Sequence, residues 1–164
     1  MRHALRVCAD RQLAEEPVTY RPASQADLPD LVELTTAFYQ EDGFATVHEA
    51  LPGRFTAFLG QSEANITVAL TGNATIGFAL TTVRLILESG RVAELQDLYV
   101  QPEYRGMGVG SALVTDAARW ARNNAADVLE VVIAPNGRDV SHLHQYYESR
   151  GFVDEGRRIV HLDV

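Results

Sequence analysis

A chain of 164 residues, 46% of them apolar, is long enough for one domain with a sizeable core and too short for two ordinary ones. Its 14 Lys and Arg stand against 22 Asp and Glu, a net charge of -8; this argues against a nucleic-acid backbone as main partner and suits a cationic substrate as well as plain acidic solubility. The single cysteine, Cys8, excludes an internal disulfide and a thiolate metal site and fits a reducing compartment.

Residues 1–17 mix charge with scattered apolar positions and end at Pro17. They read as an extension ahead of the domain, as disordered chain or a short helix. They lack the apolar core of a secretory signal, and no apolar run approaches the roughly 18 residues of a membrane span. The reading is therefore a soluble, cytoplasmic protein whose partners are neither membrane nor nucleic acid.

The domain proper is predicted over residues 18–164. "VTYRPAS" reads as a first strand, and Ser24 with Asp27 resembles a capping box for the helix behind it. Leu28, Leu31, Val32, Thr35, Phe38 and Tyr39 share one face of that helix, which stops near Asp42 and Gly43. A second helical stretch has Thr46 and Glu49 as a cap, with Pro52-Gly53 as an interruption before Phe55, Phe58 and Leu59. "NITVAL" and "ATIGFALTTVRLIL", joined at Gly72-Asn73, read as an antiparallel hairpin, and "ESGR" turns the chain into "VAELQDLYV".

That third run contains an irregularity. Ala93 and Leu95 share one parity while Leu98 and Val100 share the other, so the apolar face slips by one residue near Gln96. A β-bulge would repair the slip and leave Glu94 and Asp97 together on the less apolar side, where strand pairing is disturbed.

Behind the strand comes "QPEYRGMGVGSAL", a glycine-rich turn leading without a gap into a helix with Val109, Ala112, Leu113, Ala117 and Trp120 on one face. Trp120 reads as core. Strand, glycine turn and helix in that order make an anion site, because the first helical amides point outward along the positive end of the dipole. A nucleotide P-loop would need Gly-Lys-Ser/Thr, and this stretch has no lysine. A dinucleotide fingerprint would need GxGxxG, whereas Gly106, Gly108 and Gly110 are spaced GxGxG. Beyond the helix, "VLEVVIA" reads as a buried, parallel strand, Asp139 as a cap for "SHLHQYYES", Gly151 as its stop, and "RRIVHLDV" as a final strand.

Arg105-x-x-Gly108-x-Gly110, the preceding "DLYVQPEYRG" and the later "YYESRGF" resemble the motifs of the GNAT superfamily, the GCN5-related N-acetyltransferases, and the order of elements from about Val18 to Val164 is similar too. The resemblance implies an α/β fold: a mixed, mostly antiparallel sheet of six to seven strands, splayed between strands 4 and 5 and flanked by about four helices. It implies acetyl-CoA as cosubstrate, with the pantetheine arm in the gap along Leu98, Tyr99 and Val100. The diphosphate would lie on the amides of Arg105, Gly106, Met107, Gly108, Val109 and Gly110, and Ser111 would add its hydroxyl. Just upstream of "YYESRGF" the family pattern has Asn and a small residue where this chain has Val140 and Leu143, so Asn136 or Asp139 is the substitute contact for the arm.

The reaction so implied is N-acetyl transfer to a primary amine by direct attack in a ternary complex. The amine must lose a proton first. With a pKa near 10.4 it is neutral about once in a few thousand molecules at pH 7, a cost of roughly 4 to 5 kcal/mol. By distance from the glycine motif, Glu94 corresponds to the general base of histone-type members, and Asp97 is the second candidate. Gln96 stands where polyamine-acetylating members carry a carboxylate. Tyr147, four residues before Gly151, corresponds to the general-acid tyrosine that reprotonates the departing thiolate; Tyr146 beside it reads as packing. The acceptor side of the cleft in similar proteins falls on residues 39–55, which makes Tyr39, Glu41, Asp42 and His48 candidates for recognising the amine.

No metal is expected. His142 and His144 lie about 200° apart on a helix and cannot share an ion. A covalent enzyme intermediate is not expected either, since Cys8 lies outside the motifs. The acceptor is a small polycationic amine or a protein amine, and a homodimer pairing its final strands is compatible by analogy. The rival reading is a sensor or assembly module that binds acyl-CoA without turnover; Glu94 and Tyr147 argue against it.

Overall fold

The computed structural model describes residues 16–43, 48–134, 139–160 and 162. They form two compact units, one ending at Val131 and the other beginning at Val132. The first holds, in chain order, β1 (Thr19–Pro22), α1 (Leu28–Asp42), α2 (Leu51–Leu59), β2 (Ala64–Thr71), β3 (Ala74–Ile86), β4 (Gly90–Val100), α3 (Val109–Asn123) and β5 (Val128–Val131). The second holds α4 (Ser141–Glu148). Among the described residues no helix is long and apolar enough to cross a membrane.

The strands line up as β1-β2-β3-β4-β5 in one mixed sheet. Neighbours from β1 to β4 are antiparallel, and β4 pairs β5 in parallel from Val92↔Val128 to Leu95↔Val131. The expectation of six to seven strands is corrected to five among the described residues. The expected last strand is not formed among the described residues: residues 152–160 are irregular, with Val153, Ile159 and Val160 at 81%, 70% and 91% exposure. An extended segment without a ladder partner gains neither hydrogen bonds nor burial to set against the entropy of ordering it.

Each face of the sheet carries its own core. On one side α1 and α2 bring Leu31, Leu34, Leu51 and Phe55 onto Ile66, Val68, Phe78, Leu80 and Tyr99. On the other, Ala121 and Ala126, with Trp120 packed alongside, meet Val83 and Ala93, so Trp120 is core as expected. Asp27 straps the entry to α1. Its carboxylate accepts from both Arg21 Nη atoms at 2.8 and 2.7 Å and from the Ser24 amide and hydroxyl at 2.7 and 3.0 Å. These donors hold its carboxyl well below the ordinary range. The helix closes on Gly43 in the left-handed region, whose amide donates to the Tyr39 carbonyl.

Helix α2 begins one residue before Pro52, so proline and glycine start it instead of interrupting it. In the first turn the missing amide has no intrahelical acceptor to lose. Thr46, half of the expected cap, lies outside the described residues. In β4 the bulge is real: Asp97 faces Leu80 and Leu95 faces Thr81, leaving Gln96 outside the ladder register with β3.

Candidate active site

The chain leaves β4 at Val100, is pinned by the Gln101 amide to the Ile76 carbonyl at 2.9 Å, and makes one 3-10 turn over Pro102–Tyr104. Gly106 and Gly108 then adopt φ of 75° and 86°, a conformation in which an L side chain is strained. A Cβ placed on either glycine would meet nothing within 4 Å, so the turn opens onto space. Helix α3 follows at once. Its first helical bond to Gly108 comes from the Ala112 amide at 3.0 Å, so the amides of Val109 and Gly110 precede the intrahelical ladder and point along its positive end. The site therefore fits a diphosphate by its backbone, with Met107 57% exposed at its edge.

Arg105, at the head of this turn, braces it. Its Nε donates to the Val100 carbonyl at 2.8 Å, its guanidinium lies 5.4 Å from the Tyr99 ring centroid, and its two Nη atoms grip the Glu41 carboxylate at 2.6 and 2.8 Å. Glu41 is in the last turn of α1. Leu98 and Tyr99 precede the turn on β4, beyond the point where pairing with β5 ends. Ser111 sits in the first turn of α3, its carbonyl accepting from Thr115 Oγ1 at 2.9 Å.

Because Gln96 is extra, Glu94 and Asp97 lie on the same face of the sheet, the one covered by α1, opposite Thr82 and Leu80. Their surroundings differ. Asp97 is half-buried, and desolvation pushes its carboxyl from 3.8 up to about 6, against the opposing effect of Tyr39. The Tyr39 hydroxyl donates to Asp97 Oδ1 across a long 3.5 Å and is itself pushed up to about 12, by burial first and then by Asp97. Glu94 is engaged: Arg84 of β3 bridges it to Glu130 of β5. Gln96 turns its amide to Thr82 Oγ1 at 2.8 Å.

Tyr39, Glu41, Asp97 and Arg105 thus form one connected group, tied through Phe38, whose ring stacks on Tyr99 at 5.4 Å. Asp42 ends α1 half-buried. His48 is exposed, its Nδ1 2.9 Å from Thr36 Oγ1. Sequence reading missed Arg84 and Glu130. Their signal was the turn at "ESGR", which fixes the β3-β4 register and so sets Arg84 diagonal to Glu94.

In the second unit, Asp139 accepts from the Ser141 amide at 2.9 Å, and Gly151, φ 88°, ends α4 with its amide on the Glu148 carbonyl. Tyr147 is buried at 9% exposure, edge-on to Tyr146 and Phe152 with centroids 5.1 and 5.2 Å apart. Burial pushes its phenol up to about 12. Tyr146 packs under the Arg150 guanidinium, 3.5 Å from its centroid. Asn136 lies outside the described residues.

Residues 28–152 match a family model described as the acetyltransferase (GNAT) family. An uncharacterized N-acetyltransferase of Archaeoglobus fulgidus is 28% identical over 134 residues, covering 79% of this chain and 89% of that one. The aminoglycoside N(6')-acetyltransferase type 1 of Stenotrophomonas maltophilia is 32% identical over 112 residues, covering 65% and 71%. Among solved structures, an aminoglycoside N-acetyltransferase in complex with CoA superimposes with a TM-score of 0.79 at 18% identity, covering 90% of this chain and 95% of that one.

Proposed function

The chain belongs to the acetyltransferase (GNAT) family and is an acyltransferase, and from that premise we propose the acceptor and the roles of its residues: acetyl transfer from acetyl-CoA to a primary amine of a small cationic molecule. One observation carries this reading. The same strand, β4, presents a half-buried, desolvated carboxylate on the face toward α1 and ends in an open glycine turn at a helix start. The thioester, when bound, supplies an activated acetyl group; the rest is the work of side chains.

Asp97 takes the proton that the amine must lose. With its carboxyl near 6 it is ionised at neutral pH and a stronger base than an exposed aspartate. Two observations support it over Glu94: the desolvation that raises its carboxyl, and the engagement of Glu94 by Arg84. Glu94 and Glu130 then serve as the acidic flank that favours a cation, their charge half offset by Arg84. Tyr39 orients Asp97. Tyr147, kept protonated by burial, donates to the departing sulfur. The turn from Arg105 to Gly110, with Ser111, holds the diphosphate, and Leu98 to Val100 offer strand backbone to the arm.

Relatives named for aminoglycosides and for thialysine support a small amine acceptor, and the net charge of -8 adds long-range attraction for a cation. The test is thiol release from acetyl-CoA over a panel of aminoglycosides, polyamines, amino acids and peptide amines. Turnover with a cationic small molecule, together with a rise in Tm on adding acetyl-CoA, is the expected result. About 2.7 kcal/mol of stabilisation would accompany ligand at 100 times its Kd. Binding without thiol release for any amine would return the sensor reading.

A further inference from the structure

The Arg105–Glu41 pair joins the cofactor turn to the helix that carries the acceptor candidates. Arg105 immediately precedes Gly106, while Glu41 stands two residues beyond Tyr39, whose hydroxyl meets Asp97. We propose that this pair is an exchangeable contact: the diphosphate of the cofactor draws Arg105 off Glu41, and the Glu41 carboxylate then takes a cationic group of the acceptor. The inference rests on the acetyl-CoA reading above and adds to it a specificity-determining residue that acts only in the loaded enzyme.

Three features support the exchange. Both side chains are 43% exposed, and a solvated ion pair of this kind is weak and readily replaced. A guanidinium fork suits phosphate oxygens as well as carboxylate oxygens, and a diphosphate brings more negative charge than one glutamate. Arg105 is also tethered independently of Glu41, at the Val100 carbonyl and over the Tyr99 ring, so the exchange is a local swing of one side chain and the turn keeps its shape.

Glu41 has a reason to seek a second cation. It lies in the last turn of α1, which ends at Asp42, where the negative end of the helix dipole disfavours a carboxylate unless a positive group compensates. In this structure Arg105 supplies such a group. With cofactor that group is the acceptor's ammonium. By linkage, each ligand then strengthens binding of the other.

Calorimetric titration of the wild type, Glu41→Gln and Arg105→Gln decides it, with CoA and spermidine as probes. Glu41→Gln is expected to bind CoA about 2- to 5-fold more tightly, because nothing competes for Arg105. Wild type is expected to bind spermidine more tightly with CoA present than without, a dependence lost in both variants. Arg105→Gln is expected to weaken CoA binding. Equal or weaker CoA binding by Glu41→Gln overturns the proposal, as does spermidine binding that ignores CoA or is absent in both states. A fall in Tm with parallel loss of both ligands would make the pair a brace only. Failure of the wild type to bind CoA at all would instead remove the cofactor reading beneath it.

Discussion

The desolvation that would make Asp97 a better base also makes it a poor neighbour for the fold. Its folded carboxyl, near 6, titrates above the unfolded value of 3.8, so the folded chain binds that proton more tightly. The penalty is fully present above pH 6 and disappears below about pH 4. Asp97→Asn should therefore raise stability at pH 7 to 8 by up to about 3 kcal/mol while lowering kcat by roughly 10²- to 10⁴-fold. Denaturant titration and steady-state rates read the two effects, and the wild-type rate should climb with pH through about 6. A variant that is more stable and equally active would remove Asp97 from the chemistry. Tyr147 makes a complementary prediction: with its phenol pushed up to about 12 it carries its proton throughout the neutral range, so Tyr147→Phe should depress kcat and leave CoA affinity nearly unchanged. The parity slip at Gln96 announced that Glu94 and Asp97 share a face. It carried no sign of which one is desolvated and which one is paired, because that depends on Tyr39 of α1 and Glu130 of β5, brought in from distant sequence.

At the scale of elements, Gly77 of β3 lies against the end of β4, opposite Val100. A Cβ there would stand 2.6 Å from the Tyr99 carbonyl oxygen and 3.2 Å from the Val100 Cα, both backbone atoms that cannot step aside alone. Gly77→Ala is expected to cost about 1 to 3 kcal/mol and, by pushing out the end of β4, to weaken CoA binding as well; a Tm scan and a CoA titration measure the pair of losses. The helices and the hairpin were legible because their periodicities are local: the α1 face from Leu28 to Tyr39, the glycine stop at Gly43, the turn at Gly72-Asn73. The last strand was misread for the converse reason. Alternation in "RRIVHLDV" states only that the segment could pair, and pairing requires a partner that no local pattern supplies. Pro52 was misread as a break because the start of α2 at Leu51 was not evident from the sequence.

For the molecule as a whole, the glycine turn carried most of the identity. Its glycine spacing and its lack of a lysine excluded two nucleotide-binding alternatives, and family matching over residues 28–152 bears out the resemblance it carried. What stayed hidden was the wiring between the turn and α1, since Arg105 and Glu41 are 64 positions apart. One consequence follows from the bulge. With Gln96 excised, Glu94, Leu95 and Asp97 would keep Thr82, Thr81 and Leu80 as their partners, and the ladder would run unbroken. Nothing in the hydrophobic pattern or the register requires that codon. A deletion mutant should then be a tidier and at least equally robust protein whose Glu94 and Asp97 still share the face toward α1, so the inserted residue is a local widening of the ladder and not the device that aims either carboxylate.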